Sequence, residues 1–184
     1  YLELGSSFFE IIGYVPQVLA IYPDFTANQY LSYIGALKGM SKTEVKESCH
    51  KILEWVELQD VADKKVRTFS EGMKRRLLLG QGILGNPKIL ILDEPTAGLD
   101  PGQRIAVRNL IAEIAKDKIV ILATHIVADV ETVAKEVILL RNGKIIAQKS
   151  VRELIEVLEK SKPNSSSQNL GLEDIYLYYF GNEQ

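Results

Sequence analysis

The sequence predicts an α/β fold: a parallel sheet flanked by helices, with a helical insert between two of its strands. Three observations predict it. Ile89-Leu90-Ile91-Leu92 is a continuous apolar run without polar alternation, as expected of a strand covered on both faces. Lys118 to Ala123 repeats that pattern one helix further along the chain. Between the short β-type stretch Ile11–Val15 and the first run, residues 18–86 carry only helical periodicity, so they interrupt the sheet rather than extend it.

The elements follow in order. Tyr1 to Glu10 is mixed and turn-prone around Gly5-Ser6-Ser7. Ile11-Ile12-Gly13-Tyr14-Val15 reads as a strand closed by Pro16, with Gln17 where it opens into a loop. Thr26 to Gln29 starts a helix with the stripe Tyr30, Leu31, Tyr33, Ile34 and Leu37, which ends at Gly39-Met40. Ser41-Lys42-Thr43-Glu44 is a capping box before Val45, Ile52, Leu53 and Val56. Leu58 to Asp63 reads as a polar turn. Ser70-Glu71-Gly72-Met73 opens a third helix through Leu77, Leu78, Leu79 and Ile83, stopped by Gly85-Asn86-Pro87.

The sheet resumes with Lys88 to Asp93. Pro101 suits the first turn of a helix carrying Ile105, Val107, Leu110, Ile111 and Ile114. The strand Lys118 to Ala123 ends in Thr124-His125. A helix near Val127 to Ala134 leads to a strand at Val137 to Leu140, and Asn142-Gly143 turns it back into Lys144 to Ala147. A helix near Val151 to Leu158, a flexible linker at residues 161–169 and a short aromatic docking helix at Leu172 to Phe180 complete the chain.

Composition narrows the function classes. The 184 residues suffice for one substantial core, or one core and a small subdomain. Lys+Arg is 22 against Asp+Glu 24, a net charge of -2, which gives no basis for nucleic acid or an anionic membrane surface as a direct partner. The single Cys49 cannot close an internal disulfide, and no Cys/His cluster suggests zinc; a reducing, cytoplasmic setting fits. No apolar run reaches bilayer length, and no signal-peptide pattern is present.

The chemistry gathers where the first apolar run ends. Asp93 and Glu94 are adjacent carboxylates at the carboxyl end of a strand, the edge where open α/β sheets bind ligands. Alternation along the strand aims them apart. Two acids with separate aims suit separate roles, one holding Mg²⁺ and the other polarising a water. The bland reading is a strand capped by a loop-facing acid pair. Ser70 and Gly72 begin a helix, and a helix N-terminus presents free N–H groups to a phosphate; an ordinary N-cap at Ser70 uses the same geometry.

Five stretches together resemble the nucleotide-binding domain of ABC (ATP-binding cassette) transporters. They are Gly13-Tyr14-Val15-Pro16-Gln17, Phe69-Ser70-Glu71-Gly72-Met73-Lys74-Arg75-Arg76, Leu90-Ile91-Leu92-Asp93-Glu94-Pro95-Thr96, Ala97-Gly98-Leu99-Asp100 and Thr124-His125. They look like the family's Q-loop, signature motif, Walker B, D-loop and switch histidine, in the family's order, from about Ile11 to Ala147. Met73-Lys74-Arg75-Arg76 and Leu172-Glu173-Asp174-Ile175-Tyr176 look like the multidrug or ABC-2-type exporters.

The resemblance implies a partial P-loop NTPase (RecA-like) sheet with an α-helical subdomain between Q-loop and signature motif. The expected parts are 1–17 with the Q-loop, 18–86 as the helical subdomain, 87–150 as the core with Walker B, D-loop and switch histidine, and 151–184 as the C-terminal helix, linker and tail. It implies ATP and Mg²⁺ as cofactors. Glu94, His125 and Gln17 become the expected catalytic residues, Asp93 and Gln17 the metal contacts, and Ser70, Gly72 and Asp100 the contacts to ATP held by a second nucleotide-binding domain. The expected partners are that second domain and a transmembrane permease subunit, which keeps the chain at the cytoplasmic face of the membrane.

Two departures stand out. Glu71 replaces the family's usual glycine, and a carboxylate near a γ-phosphate repels it unless it points away. No G-x-x-x-x-G-K-[ST] loop occurs in the sequence, so the backbone cradle and lysine for the phosphates are missing. The expectation is a chain truncated before the Q-loop, inactive alone. A non-catalytic cassette remnant acting as an interaction module, and a soluble non-transport ABC ATPase, remain open as alternatives.

Overall fold

The computed structural model describes residues 11–161 and 171–181. Two compact units divide the chain, residues 1–123 and 124–184. The readings made for Tyr1 to Glu10 and for most of the 161–169 linker lie outside the described residues.

The first unit is built on three parallel strands, β1 (Ile12–Val15), β2 (Ile89–Asp93) and β3 (Ile119–Ala123), side by side in that order. After β1 the chain runs through helices α1 (Ala27–Leu37), α2 (Lys42–Trp55) and α3 (Glu71–Ile83) before returning to β2; α4 (Pro101–Ile114) then crosses to β3. Each helix begins at a side-chain cap. Thr26 and Gln29 form a reciprocal capping box, as do Ser41 and Glu44. Ser70 Oγ accepts from Met73 N–H at 3.3 Å, and Asp100 Oδ1 from Gln103 N–H at 2.9 Å. Left-handed residues Gly39, Gly85 and Asn86 follow α1 and α3 where the sequence signalled stops. The polar turn read at Leu58 to Asp63 contains a 3₁₀ turn, Gln59–Val61, but Leu58 itself is a core residue, 1% exposed.

The register aligns Val15 with Leu92 and Leu92 with Leu122. Gly13, Val15, Leu90 and Leu92 therefore share one face, and the core of this unit lies against it, with Leu77, Leu78, Val107 and Ile111 also buried there. Gly13 is required by this packing. A Cβ on it would stand 2.0 Å from the Gly82 carbonyl oxygen, so β1 and α3 touch backbone to backbone.

Burial on both faces of the apolar runs is not what the structure has. Leu90 and Leu92 are fully buried, but Ile89 and Ile91 are only half-buried, and Ile119 and Ile121 are 63% and 51% exposed. The reason lies in the layering within this unit: its described core residues gather on the Leu90 face.

The second unit comprises α5 (Val127–Val133), the antiparallel pair β4 (Val137–Arg141) and β5 (Lys144–Lys149), α6 (Val151–Ser161) and α7 (Leu172–Phe180). Asn142 and Gly143 both take positive φ, as a type I′ turn demands. Leu154, Leu158, Leu172 and Ile175 form its core. The Leu172 N–H donates to Glu131 Oε1 at 2.7 Å, anchoring the start of α7. Among the described residues no helix is long and apolar enough to cross a membrane.

Candidate functional site

Parallel strands of matched register bring their carboxyl ends to one edge, and there β1 and β2 deliver Gln17, Asp93 and Glu94. Asp93 is the last residue of β2, half-buried and paired with Ala123 of β3. Glu94 leaves the strand with φ 47°, a left-handed conformation uncommon outside glycine. Its N–H still donates to the Ala123 carbonyl at 2.8 Å. The Ala97 N–H then returns to the Glu94 carbonyl at 3.2 Å, and Gly98 (φ 78°) completes the turn into Asp100.

Gln17 lies two residues beyond β1 with an exposed side chain. Its main chain is fixed from the insert: Arg75 Nη1 donates to the Gln17 carbonyl at 2.8 Å. Arg75 is 7% exposed. Burial pushes its pKa down from the usual arginine value, while the charges of Glu71 and Glu94 push it up. Arg75 lies in the signature-like stretch, but the sequence gives it no role of its own. Its spacing on α3 gives only a helix position, and the loop it reaches is remote in the chain.

The start of α3 and the start of α4 also meet. A Cβ at Gly72 would lie 2.8 Å from the Gln103 side-chain Cδ, so the glycine permits a close approach of the two helix entrances. Ser70 and Asp100, the two N-caps, thus belong to one neighbourhood, with Gln103 as the contact residue that sequence reading missed. Both caps are occupied locally, which agrees with the ordinary capping role read for Ser70 and adds the same role for Asp100. The Glu71 carboxylate pairs with Lys74 Nζ at 2.9 Å, one turn along the helix. That pairing places a positive charge beside the Glu71 carboxylate at the start of α3.

His125 follows β3 by two residues, in the second unit, with its side chain exposed. Thr124 Oγ1 accepts from the Ile126 N–H at 3.0 Å, which shapes the turn that carries the histidine.

The donor chemistry suits Mg²⁺. Among the described residues no three His, Cys, Asp or Glu side chains are grouped to hold a metal by themselves. Mg²⁺ is ordinarily held by one or two carboxylates and substrate phosphates, not by an all-protein cage. Asp93 offers the carboxylate and Gln17 an amide oxygen. A separate groove of 710 Å³, lined by Lys51, Trp55, Lys88, Glu113 and Lys118, shares no residue with this set.

Comparison with known proteins identifies the family. The sequence model of the ABC transporter family matches residues 6–97. The chain is 41% identical over 144 residues to the uncharacterized ABC transporter ATP-binding protein YxlF of Bacillus subtilis, covering 78% of this chain and 49% of that one. It is 35% identical to the linearmycin resistance ATP-binding protein LnrL of the same species, over 74% of this chain and 44% of LnrL. It is also 35% identical to the Nod factor export ATP-binding protein I of Ralstonia nicotianae, over 78% of this chain and 45% of that protein. The chain thus spans about half the length of these relatives or less. A solved structure of the ATP-binding subunit of an ABC transporter superposes with a TM-score of 0.75 at 24% identity, covering 94% of this chain and 70% of that one, which speaks for the fold. A parallel sheet interrupted by a helical insert, an acid pair at its carboxyl edge and relatives of this similarity lead to one statement: the chain belongs to the ABC transporter family, among its ATP-binding subunits.

Proposed function

We propose that the chain is part of an ATP-hydrolysing subunit that powers an ABC exporter, with ATP sandwiched between two such domains. The observation that carries this reading is the shared edge at which Gln17, Asp93 and Glu94 end their strands, with Glu94 turned out of strand alternation at φ 47°. Export is favoured because two relatives bear names of export or drug resistance. The domain parts are 1–17, 18–86, 87–150 and 151–184, with the helical subdomain at 18–86.

Bound Mg²⁺ neutralises charge on the phosphate oxygens. Asp93 would hold the ion, and Gln17 would reach the ion or the attacking water. Glu94 accepts a hydrogen bond from that water and polarises it. His125 donates a hydrogen bond to the γ-phosphate. Ser70, Gly72 and Asp100 present helix N-termini to the nucleotide of the opposite domain. A transmembrane permease is the second partner, and it keeps the protein peripheral on the cytoplasmic face of the membrane.

A non-catalytic cassette remnant acting as an interaction module is the second reading, and the Glu71 carboxylate where the family usually has glycine favours it. Phosphate release by the full-length protein with Mg·ATP separates the two. Turnover that disappears in Glu94→Gln supports the ATPase. Absence of turnover in the full-length wild type supports the remnant.

A further inference from the structure

One contact joins the helical insert to the strand-end loop through a buried charge. Arg75, on the second turn of α3, donates to the main-chain carbonyl of Gln17 at 2.8 Å and is 7% exposed. The same helix begins with Ser70 and Gly72. The same loop carries the exposed Gln17 side chain two residues beyond β1.

We propose that Arg75 is a positioning residue for ATP hydrolysis: it ties the Gln17 backbone to the start of α3, so that Gln17 and the Ser70–Gly72 entrance keep one relative placement. This rests on the roles given to Gln17 and Glu94 above. Arginine suits the position because its planar guanidinium stays charged and carries five donors in a fixed fork. Burial pushes the Arg75 pKa down, and the charges of Glu71 and Glu94 oppose that push. A carbonyl held by a charged donor is fixed more firmly than one held by a neutral group. The neighbouring Arg76 is engaged elsewhere, where its Nη1 donates to the Val56 carbonyl at 3.0 Å, at the end of α2.

The kinetic consequence follows from where Gln17 acts. A residue that orients water or metal contributes to the transition state more than to nucleotide binding, so misplacing it lowers kcat and spares KM. Methionine at 75 approximates the buried stem but leaves the carbonyl without its donor. Lysine restores a charged donor with poorer geometry.

The experiment measures kcat, KM for ATP and the thermal midpoint of the full-length protein as Arg75→Met, Arg75→Lys and Glu94→Gln. Arg75→Met is expected to lower kcat about tenfold with KM changed by less than about twofold. Arg75→Lys is expected to recover about a third or more of wild-type kcat. Should Arg75→Met fold poorly, the lysine variant decides: a native midpoint and partial kcat with unchanged KM supports the proposal. Wild-type kcat in a folded Arg75→Met overturns it, as does a loss in Arg75→Lys as deep as in Arg75→Met. If Glu94→Gln abolishes turnover while Arg75→Met does not, this inference alone fails. If Glu94→Gln keeps full turnover, the reading of the site beneath it fails.

Discussion

The Glu94 N–H donates to the Ala123 carbonyl at 2.8 Å while Glu94 itself sits at φ 47°. The ladder between β2 and β3 thus continues one residue past Asp93, and the chain then turns left-handed. Such a conformation costs on the order of 1–3 kcal/mol at a residue with a side chain. Its effect is to free the Glu94 carboxylate from the alternation that governs β2. The two acids then hold different positions at the sheet edge, and Asp93 remains a strand residue with a strand residue's aim.

Glu94→Gln in the full-length protein is therefore expected to keep ATP binding and to accumulate a closed dimer. The amide preserves size and backbone demand but loses the charge that the proposed role of Glu94 uses to polarise water. Gel filtration with and without Mg·ATP checks this. A variant that binds ATP yet elutes as a monomer at saturating nucleotide speaks against the role given to Glu94.

Much of this edge was readable in the sequence because its signals are local. The capping box at Ser41–Glu44 forms as read, Thr26 to Gln29 starts a helix as read and adds a second capping box, and Asn142-Gly143 turns the hairpin. The parallel strands could be inferred from apolar runs alone. What could not be read depends on distant partners. The left-handed turn at Glu94 comes where its N–H bonds to β3, and nothing in Asp93-Glu94-Pro95 announces it. The Arg75–Gln17 contact joins segments separated by two whole helices, and the Gly72–Gln103 contact joins the starts of two successive helices across a strand. The exposed Ile119–Ile121 side of the sheet was misread because an apolar run reports only what its faces prefer, not which face the helices of the unit occupy.

Residues 1–184 as an isolated polypeptide are expected to release phosphate from ATP no faster than the background. Asp93 and Glu94 are present, but no G-x-x-x-x-G-K-[ST] loop supplies N–H groups and a lysine to the phosphates. Phosphate release above a no-protein control, lost in Glu94→Gln of the same preparation, contradicts this expectation.

Gly13→Ala is expected to destabilise the protein by about 3 kcal/mol, at the upper end for an overpacked site. The added methyl meets the Gly82 carbonyl oxygen at 2.0 Å and the Leu90 side chain at 2.9 Å. The first is backbone inside α3 and cannot swing aside. Denaturant unfolding of wild type and variant gives the difference, and a change below about 0.5 kcal/mol shows that β1 and α3 separate easily.

The membrane partner is expected to dock on the insert behind Gln17. Four aromatics of this stretch divide cleanly in the structure. Tyr30 is a core residue, 2% exposed, hydrogen-bonded to Gln81, and burial raises its pKa to about 12. Tyr22, Phe25 and Tyr33 instead pack on one another, with Tyr22 edge-on to Tyr33 at 5.5 Å and Phe25 edge-on to Tyr33 at 5.9 Å. Tyr22 and Tyr33 are 49% and 38% exposed. Beside this cluster runs a groove lined by Asp24, Phe25, Asn28, Gln29 and Ser32. Aromatic rings next to a groove with a polar side match the composition of protein interfaces, where an amphipathic helix lays its apolar face between them. Only a short segment separates Gln17 from Tyr22, so a helix seated here senses movement of the strand-end loop. Single cysteines placed at exposed positions from 22 to 33 are expected to cross-link to the membrane subunit in the assembled transporter. Cross-links from residues 151–180, with none from 22–33, put the docking face on the second unit instead.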